Sequence, residues 1–281
     1  MFKHFLITRF NLRNPDWTTS KKNKSVLTEE WHENRFELFK DFCFESVAAQ
    51  TNTNFEWLVY FDITTPEKYK TIIHTLQEKM DNFIPIFIDG MSLFLPSIKS
   101  YIEKCPEDYI ITSRIDNDDC LGINYIKEIQ SHFDKQDFLA IDFIDGYTLQ
   151  IHPSIKLGKR LDQYNPFISL IEKNINPRTV WSIRHSHWKR EKQVVQIKDK
   201  RLWASIIHQE NKVNEFEGYG EVDLSRFFQN FVISTAWEKK IKENAIPQSK
   251  WKLQSTLNFM DSLWDYTFRN IKKAVGVYKI K

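Results

Sequence analysis

The sequence predicts an α/β protein built on a mostly parallel, doubly wound sheet. Three observations carry that reading. Short runs of β-branched and aromatic residues alternate with segments of helical period from Phe2 to Ile144. Two of those runs end in acid, one at Asp62 and one in the stretch Tyr109–Leu121 (YIITSRIDNDDCL). Such strand ends are where open α/β sheets bind ligands. Only seven glycines and nine prolines punctuate the 281 residues, so long linkers and low-complexity segments are not expected.

The elements follow in order. Phe2 to Ile7 reads as the first strand, and Thr8, Arg9, Phe10 and Asn11 as the loop leaving it; Asn14, Pro15 and Asp16 form a turn. From a cap at Thr28 to Ala49, Trp31, Phe36, Phe39, Phe42, Cys43 and Val47 recur at helical spacing. Phe55 to Phe61 is a second strand running into Asp62, and Pro66 opens a helix reaching about Met80. Phe83 to Ile88 is a third strand, which Pro85 assigns to an edge or irregular position. A helix near Ser97 to Lys104 leads into the acidic strand. Asn124 to Phe133 reads as a helix and Phe138 to Ile144 as a strand followed by Asp145. Gly146 to Ile151 reads as a hairpin or edge strand. Beyond Pro153 the pattern weakens: Arg178 to His187 and Leu202 to His208 read as strands, Leu224 to Phe231 as a short helix. Trp251 to Ala274 is a helix with Leu257, Met260, Leu263, Trp264, Phe268 and Ile271 on a broad apolar face. Alternating strands and helices of this kind build a parallel sheet.

A composition of 41% hydrophobic and 15% aromatic residues supports a sizeable core and one large domain with a helical appendage. Forty basic against thirty-seven acidic residues leave a charge of +3, too little to argue for nucleic acid. Cys43, Cys105 and Cys120 have neither metal-site nor disulfide spacing, which favours a reducing compartment. The N-terminal apolar run is too short for a secretory signal and no stretch reaches membrane-span length, so the expectation is a cytoplasmic protein.

The acidic stretch places Asp116, Asp118 and Asp119 within four residues. Such carboxylates repel one another and are kept together only in bulk water or around a cation. Hard oxygen donors suit Mg²⁺ or Mn²⁺, held by one or two carboxylates plus substrate phosphates. A bare DxD would be read as a solvated acidic turn; the preceding strand and Arg114 favour a diphosphate-metal site. No G-x-x-x-x-G-K-[ST] or G-x-G-x-x-G loop occurs, which counts against P-loop and dinucleotide enzymes.

Five blocks carry a resemblance: ITRFNL at the start, SVAAQTNTNFEWLVYFD, the TTP after it, TSRIDNDDCL, and WASIIHQENKVN at Trp203 to Asn214. Together, over roughly residues 1–215, they resemble a bacterial-type rhamnosyltransferase family. The resemblance implies a GT-A-like (Rossmann-like) nucleotide-sugar-binding fold over residues 1–245, followed by an amphipathic, basic helical segment over 246–281. It also implies metal-dependent transfer of a sugar from a nucleotide-sugar donor to a glycan or lipid-linked acceptor in surface-polysaccharide assembly, with Mn²⁺ or Mg²⁺ spreading the charge of the diphosphate leaving group. Asp116 and Asp118 would contact the nucleoside or sugar, and Asp118 or Asp119 the metal. Arg114 would neutralise the acids or contact the diphosphate. Thr8, Arg9 and Asp62 would lie around the nucleotide. His208 would complete the metal site, a structural histidine being the competing reading.

His185 and His187, in the basic stretch Arg184 to Arg190, would help hold diphosphate or else form an exposed basic loop. An inverting transfer needs a base for the acceptor hydroxyl; the candidates are Asp145 and, by likeness to a Glu-Asp block, Glu221 and Asp223. The last helix, ending in Arg269, Lys272, Lys273, Lys279 and Lys281, would either pack on the domain or rest peripherally on the inner face of an anionic membrane. Two other classes stay open: a nucleotidyltransferase or Mg²⁺-dependent phosphohydrolase, and a non-catalytic nucleotide- or glycan-binding module.

Overall fold

The structure is a computed structural model that describes residues 1–16, 19, 25–211 and 215–278. Strand β1 (Phe2–Arg9) is followed by α1 (Glu29–Leu38), a π-helical segment (Phe39–Phe44) and α2 (Glu45–Ala48). Then come β2 (Glu56–Asp62), α3 (Glu67–Lys79), β3 (Phe83–Ile88), α4 (Phe94–Ile102), β4 (Tyr109–Arg114), β5 (Cys120–Leu121) and α5 (Tyr125–Gln130). The second half holds β6 (Phe138–Phe143), β7 (Asp145–Gln150), β8 (Lys156–Leu161), β9 (Ser169–Lys173), β10 (Val194–Ile197) and β11 (Trp203–Ile207). It closes with α6 (Leu224–Asn230), α7 (Thr235–Asn244) and α8 (Lys252–Ala274).

Seven strands form the main sheet in the order β10-β6-β9-β4-β1-β2-β3. Only β9 runs antiparallel to its neighbours, β4 and β6; the other pairings are parallel. The mostly parallel α/β architecture read from the sequence is therefore the one observed. A second sheet, β5-β11-β7-β8, stands beside it.

The central strands are buried on both faces, and this is why they read as continuous apolar runs. On one face Leu6, Trp57, Val59 and Phe61 pack with Phe36 and Phe39 of the first helical segment, Ile73 and Leu76 of α3, and Ile126 and Ile129 of α5. On the other, Phe5, Ile7, Leu58 and Tyr60 pack with Phe94, Ile98 and Ile102 of α4 and with Trp181 and Trp188.

Several expectations need correction. The helix expected over 28–49 begins at its cap, where Thr28 Oγ1 accepts from the Trp31 N–H at 3.2 Å, but Phe39–Phe44 is wound as a π-helix. Its wider turn buries Phe39, Phe42, Cys43 and Phe44 together, and the Cys43 thiol reaches the Asp116 carbonyl at 3.6 Å. Arg178 to His187 is not a strand. Val180 and Trp181 pack beneath the sheet without joining it, and His185–Arg190 forms a 3₁₀ turn. Strands β8, β9 and β10 and helix α7 carry no strong periodicity and were not anticipated.

Glycine is required where the two sheets meet. A Cβ on Gly146 would lie 2.3 Å from the Trp203 ring, which Phe167 stacks upon and whose indole donates to the Phe143 carbonyl at 2.6 Å. With no room to shift, Gly146→Ala is expected to destabilise by ~1–3 kcal/mol, lowering the melting temperature by about 2–4 °C per kcal/mol. An unchanged thermal midpoint would contradict that packing.

Candidate active site

Strand β4 delivers the acidic motif to the rim of the main sheet. Arg114 ends the strand, Ile115 is buried beneath it, and the chain then turns sharply, with the Asp119 N–H donating to the Asp116 carbonyl at 3.2 Å. The turn is fixed on two sides. Asn117 donates to the Phe10 carbonyl at 2.9 Å, tying it to the loop after β1. Next, β5 pairs antiparallel with β11, and the Ile206 N–H donates to Asp119 Oδ1 at 2.9 Å.

Asp118 and Asp119 are both buried but are stabilised differently. Asp118 Oδ2 accepts from Arg35 Nη1 at 2.6 Å and pairs with His208 Nε2 at 2.9 Å. Burial alone would raise its pKa; the Arg35 guanidinium, then His208, outweigh burial and hold the carboxyl well below the usual carboxylate range. Among the described residues Asp119 makes no ion pair. Burial, then the charges of Asp118 and Asp116, push its carboxyl well above the ordinary value. Asp119 is thereby held toward its neutral form, and a cation brought beside it would favour its ionisation.

Two guanidinium groups frame the turn. Arg35 also donates to Asn117 Oδ1 at 3.1 Å and lies over the Trp31 ring at 5.2 Å. Arg114 is stacked 3.8 Å from the Trp181 ring centroid and reaches Asp116 Oδ1 at 3.5 Å. Trp181 donates to the Ile7 carbonyl at 3.3 Å, and Arg9 approaches the same ring at 5.6 Å. The buried Nε atoms of Arg35 and Arg114 have no hydrogen-bond partner among the described residues.

This donor set fits a divalent ion of a particular kind. Asp118 and His208 offer an oxygen and a nitrogen within 3 Å of each other, and the Asp119 carboxyl follows directly in the chain. Among the described residues no group of three or more His, Cys, Asp or Glu side chains is arranged as a metal cage. The Asp118–His208 pair would leave the remaining positions to phosphate and water; the carboxylate suits Mg²⁺ or Mn²⁺, while the imidazole suits a transition ion.

The other candidates fall in three places. Arg9 lies at the rim with Arg114. Thr8 is turned into the core, where its hydroxyl accepts from the Trp57 indole at 2.9 Å. Asp62 is a clamp joining three strand ends, accepting from the Arg13 and Gly90 N–H groups, Arg13 Nε and the Thr64 N–H and hydroxyl. Burial opposes its ionisation, but these donors win and its pKa is lowered.

Asp145, Glu221 and Asp223 are gathered elsewhere. Asp145 accepts from the Asp199 N–H at 2.7 Å and pairs with Arg201 at 3.3 Å, level with the start of β11. Glu221 and Asp223 line a cavity with Arg201, Lys159, Lys200 and Arg226. Asp223 caps α6, accepting from the Ser225 and Arg226 N–H groups. Among the described residues, the hydrogen bonds and ion pairs that these three carboxylates make go to Asp199, Arg201, Ser225 and Arg226, and none goes to the acidic turn.

Arg35, Asn117, Trp181 and Arg13 were not singled out from the sequence. Arg35 did leave a signal: it follows Trp31 by four positions, placing a charge on the apolar stripe of α1 that needs a buried partner.

A model of the family described as "Putative rhamnosyl transferase" matches residues 3–218. No curated protein matches the chain. Among solved structures, S. aureus TarS 1-349 aligns at 12% identity and a TM-score of 0.40, covering 73% of this chain and 60% of that one. The same protein in complex with UDP aligns at 12% identity and 0.42, with the same coverage. HddC from Yersinia pseudotuberculosis aligns at 11% identity and 0.37, covering 70% of this chain and 90% of that one. The chain thus spans 60% of the length of TarS 1-349. Likeness at this level assigns no residue a role.

Proposed function

The chain belongs to the rhamnosyl transferase family, and from that premise we propose that it is a metal-dependent glycosyltransferase. The proposed donor is a nucleotide sugar, rhamnose or another hexose or deoxyhexose, and the acceptor a glycan or a lipid-linked saccharide of surface-polysaccharide assembly. The observation that carries the reading is the convergence of Asp118, His208 and Arg35, from three distant segments, on one buried turn at the rim of the sheet.

Asp118 and His208 would hold Mg²⁺ or Mn²⁺, with Asp119 supplying further negative charge. A bound divalent ion would supply Lewis-acid stabilisation of the diphosphate leaving group. The chain's own cations act in the same sense. Arg114, held flat against Trp181, and Arg9 beside it present fixed positive charge to the diphosphate. Arg35 keeps Asp118 ionised and oriented.

The acceptor side bears on membrane contact. Helix α8 is inverted relative to an ordinary surface helix. Its inward side is polar: Ser255 accepts from the Gly220 N–H, Asn258 donates to the Gly218 carbonyl, and Arg269 donates to the Gln163 carbonyl. Outward, Leu253, Leu257, Met260, Trp264, Ile271 and Val275 stand in solvent, Leu253 at 75% and Trp264 at 68% exposure. Lys272 and Lys273 close the helix; Lys279 and Lys281 lie outside the described residues. Among the described residues no helix is long and apolar enough to cross a membrane. Such a helix suits an anionic membrane surface, the place where lipid-linked acceptors reside.

The test is a panel of nucleotide sugars incubated with the protein and Mn²⁺ or Mg²⁺, with released nucleoside diphosphate as the readout. Slow hydrolysis of one donor, stopped by chelation and restored by metal, is the expected result. Release of pyrophosphate from a nucleoside triphosphate and a sugar phosphate would instead establish a nucleotidyltransferase. Binding without turnover, whatever acceptor is added, would establish a binding module.

A further inference from the structure

We propose that His185 is the general base that takes the proton from the attacking hydroxyl, an inference that rests on the glycosyltransferase reading. A cavity of about 480 Å³ lies between the end of β8 and its following loop, the His185–Arg190 turn and the inward side of α8. His185 stands on its wall. The chain itself ties that wall to the acidic turn: Trp181, four residues before His185, backs Arg114 at 3.8 Å, and Arg114 reaches Asp116 Oδ1 at 3.5 Å.

The imidazole is oriented for this task. Its Nδ1 lies 2.8 Å from the Tyr164 carbonyl, which can only accept, so Nδ1 carries the proton and the Nε2 lone pair remains for an incoming hydroxyl. That carbonyl is itself held by backbone strain: Tyr164 has φ of +59°, a conformation that side-chain-bearing residues seldom adopt, and its N–H is gripped by Asp142 Oδ2 at 2.7 Å. Burial, then the charge of Arg114, lower the histidine's pKa against the opposing pull of its Tyr164 bond and of Asp116 and Asp162. The ring is therefore neutral and able to accept a proton at pH 7. Lys189 on its own turn, Arg160 and Arg269 are the other cations on the cavity; Glu217, Asp261 and Asp265 are its further anions.

Asp162 competes poorly for the role. From Asn174 to Arg190, the stretch that passes beneath Arg114, there is no Asp or Glu. Asp162 does line the cavity, but Arg160 at 3.5 Å and Arg269 at 3.3 Å both engage it, and two guanidinium groups make a carboxylate a poor base. In the step itself the hydroxyl oxygen bonds to the anomeric carbon as the bond from that carbon to the diphosphate oxygen breaks. The bonding pair leaves with the nucleoside diphosphate, and the hydroxyl proton passes to His185 Nε2. Asp116 and Asp162 favour the resulting imidazolium, which returns its proton to water.

The experiment uses the full chain, the donor that the panel identifies, and water as the acceptor. His185→Gln is expected to bind the nucleoside diphosphate within about threefold of wild type by calorimetry, while kcat falls roughly 10²–10⁴-fold. The acidic limb of the kcat/KM profile should vanish with it, and added imidazole should partly restore turnover to His185→Ala. Asp162→Asn should keep that limb. A His185→Gln rate within tenfold of wild type with the limb intact overturns the assignment, as does loss of the limb in Asp162→Asn. Wild-type protein that turns over no donor removes the glycosyltransferase reading itself, a failure distinct from either.

Discussion

Asp118→Asn is expected to cut metal-dependent donor turnover by about 10³-fold, the equivalent of ~4 kcal/mol of transition-state stabilisation. Asp118 is where the site's opposing charges meet: one of its oxygens is shared by Arg35 and His208, and the whole side chain is almost out of water. An asparagine keeps an oxygen for Arg35 but removes the formal charge, and with it the anchor for a divalent ion. It also leaves the Arg35 guanidinium buried without an anionic partner. Breaking a buried pair in this way costs on the order of 3–5 kcal/mol, softened here by the retained acceptor. Some fall in thermal midpoint should therefore accompany the loss of activity, and a second measurement separates the two effects. In wild type, Mn²⁺ with a nucleoside diphosphate should raise the midpoint, since a ligand at 100 times its dissociation constant stabilises by about 2.7 kcal/mol. In the variant, circular dichroism should report a folded protein whose midpoint no longer responds to Mn²⁺. Turnover within tenfold of wild type, with its metal response preserved, would sink the assignment of Asp118 to the ion.

The sequence was most legible where strands are buried on both faces. β1, β2 and β4 are continuous apolar runs because helices cover each side of them, and their acidic or polar ends mark the rim. β8 (KLGKRL) carries charges that the edge of the second sheet tolerates; β9 (SLIEK) lies inside the main sheet and carries near its end a buried Glu172 satisfied by the Arg178 and Thr179 N–H groups, so neither keeps a pattern of period 2. The stretch from Arg178 to His187 failed in the opposite sense. Thr179, Val180 and Trp181 have the β-branched and aromatic character of a strand, but the large side chains are there to floor the sheet and to back Arg114. The site followed the same logic. Asp118 and His208 could each be named as oxygen and nitrogen donors, but their approach to 2.9 Å depends on β5 pairing with β11 across more than 80 intervening residues, a contact no local pattern announces. Arg35 is harder still. A lone arginine on an apolar helical stripe acquires meaning only once the turn it neutralises is in place.

Liposomes containing anionic lipid are expected to capture the protein through α8, and a variant carrying Leu257→Glu, Met260→Glu and Ile271→Glu, none of which lines the His185 cavity, should remain in solution. Six large apolar side chains face water along a helix whose other side already makes polar contacts with the domain. Burying a side chain such as Leu or Met contributes about 1.5–3 kcal/mol, so even partial insertion of three or four outweighs the loss of freedom on binding a surface. The lysines select the surface. Lys272 and Lys273 follow the stripe at one end, with Lys250 and Lys252 at the other, and each basic residue near an anionic bilayer adds about 1 kcal/mol. Capture should therefore weaken with rising salt and with neutral lipid, while purely apolar adhesion would not. Because the outward positions make none of the polar contacts that seat the helix, the triple variant should keep its melting temperature and its turnover of a soluble donor. A protein that ignores anionic vesicles and instead sediments as a dimer, reverting to monomer in the triple variant, would show that a second copy covers this face and that the membrane reading is wrong.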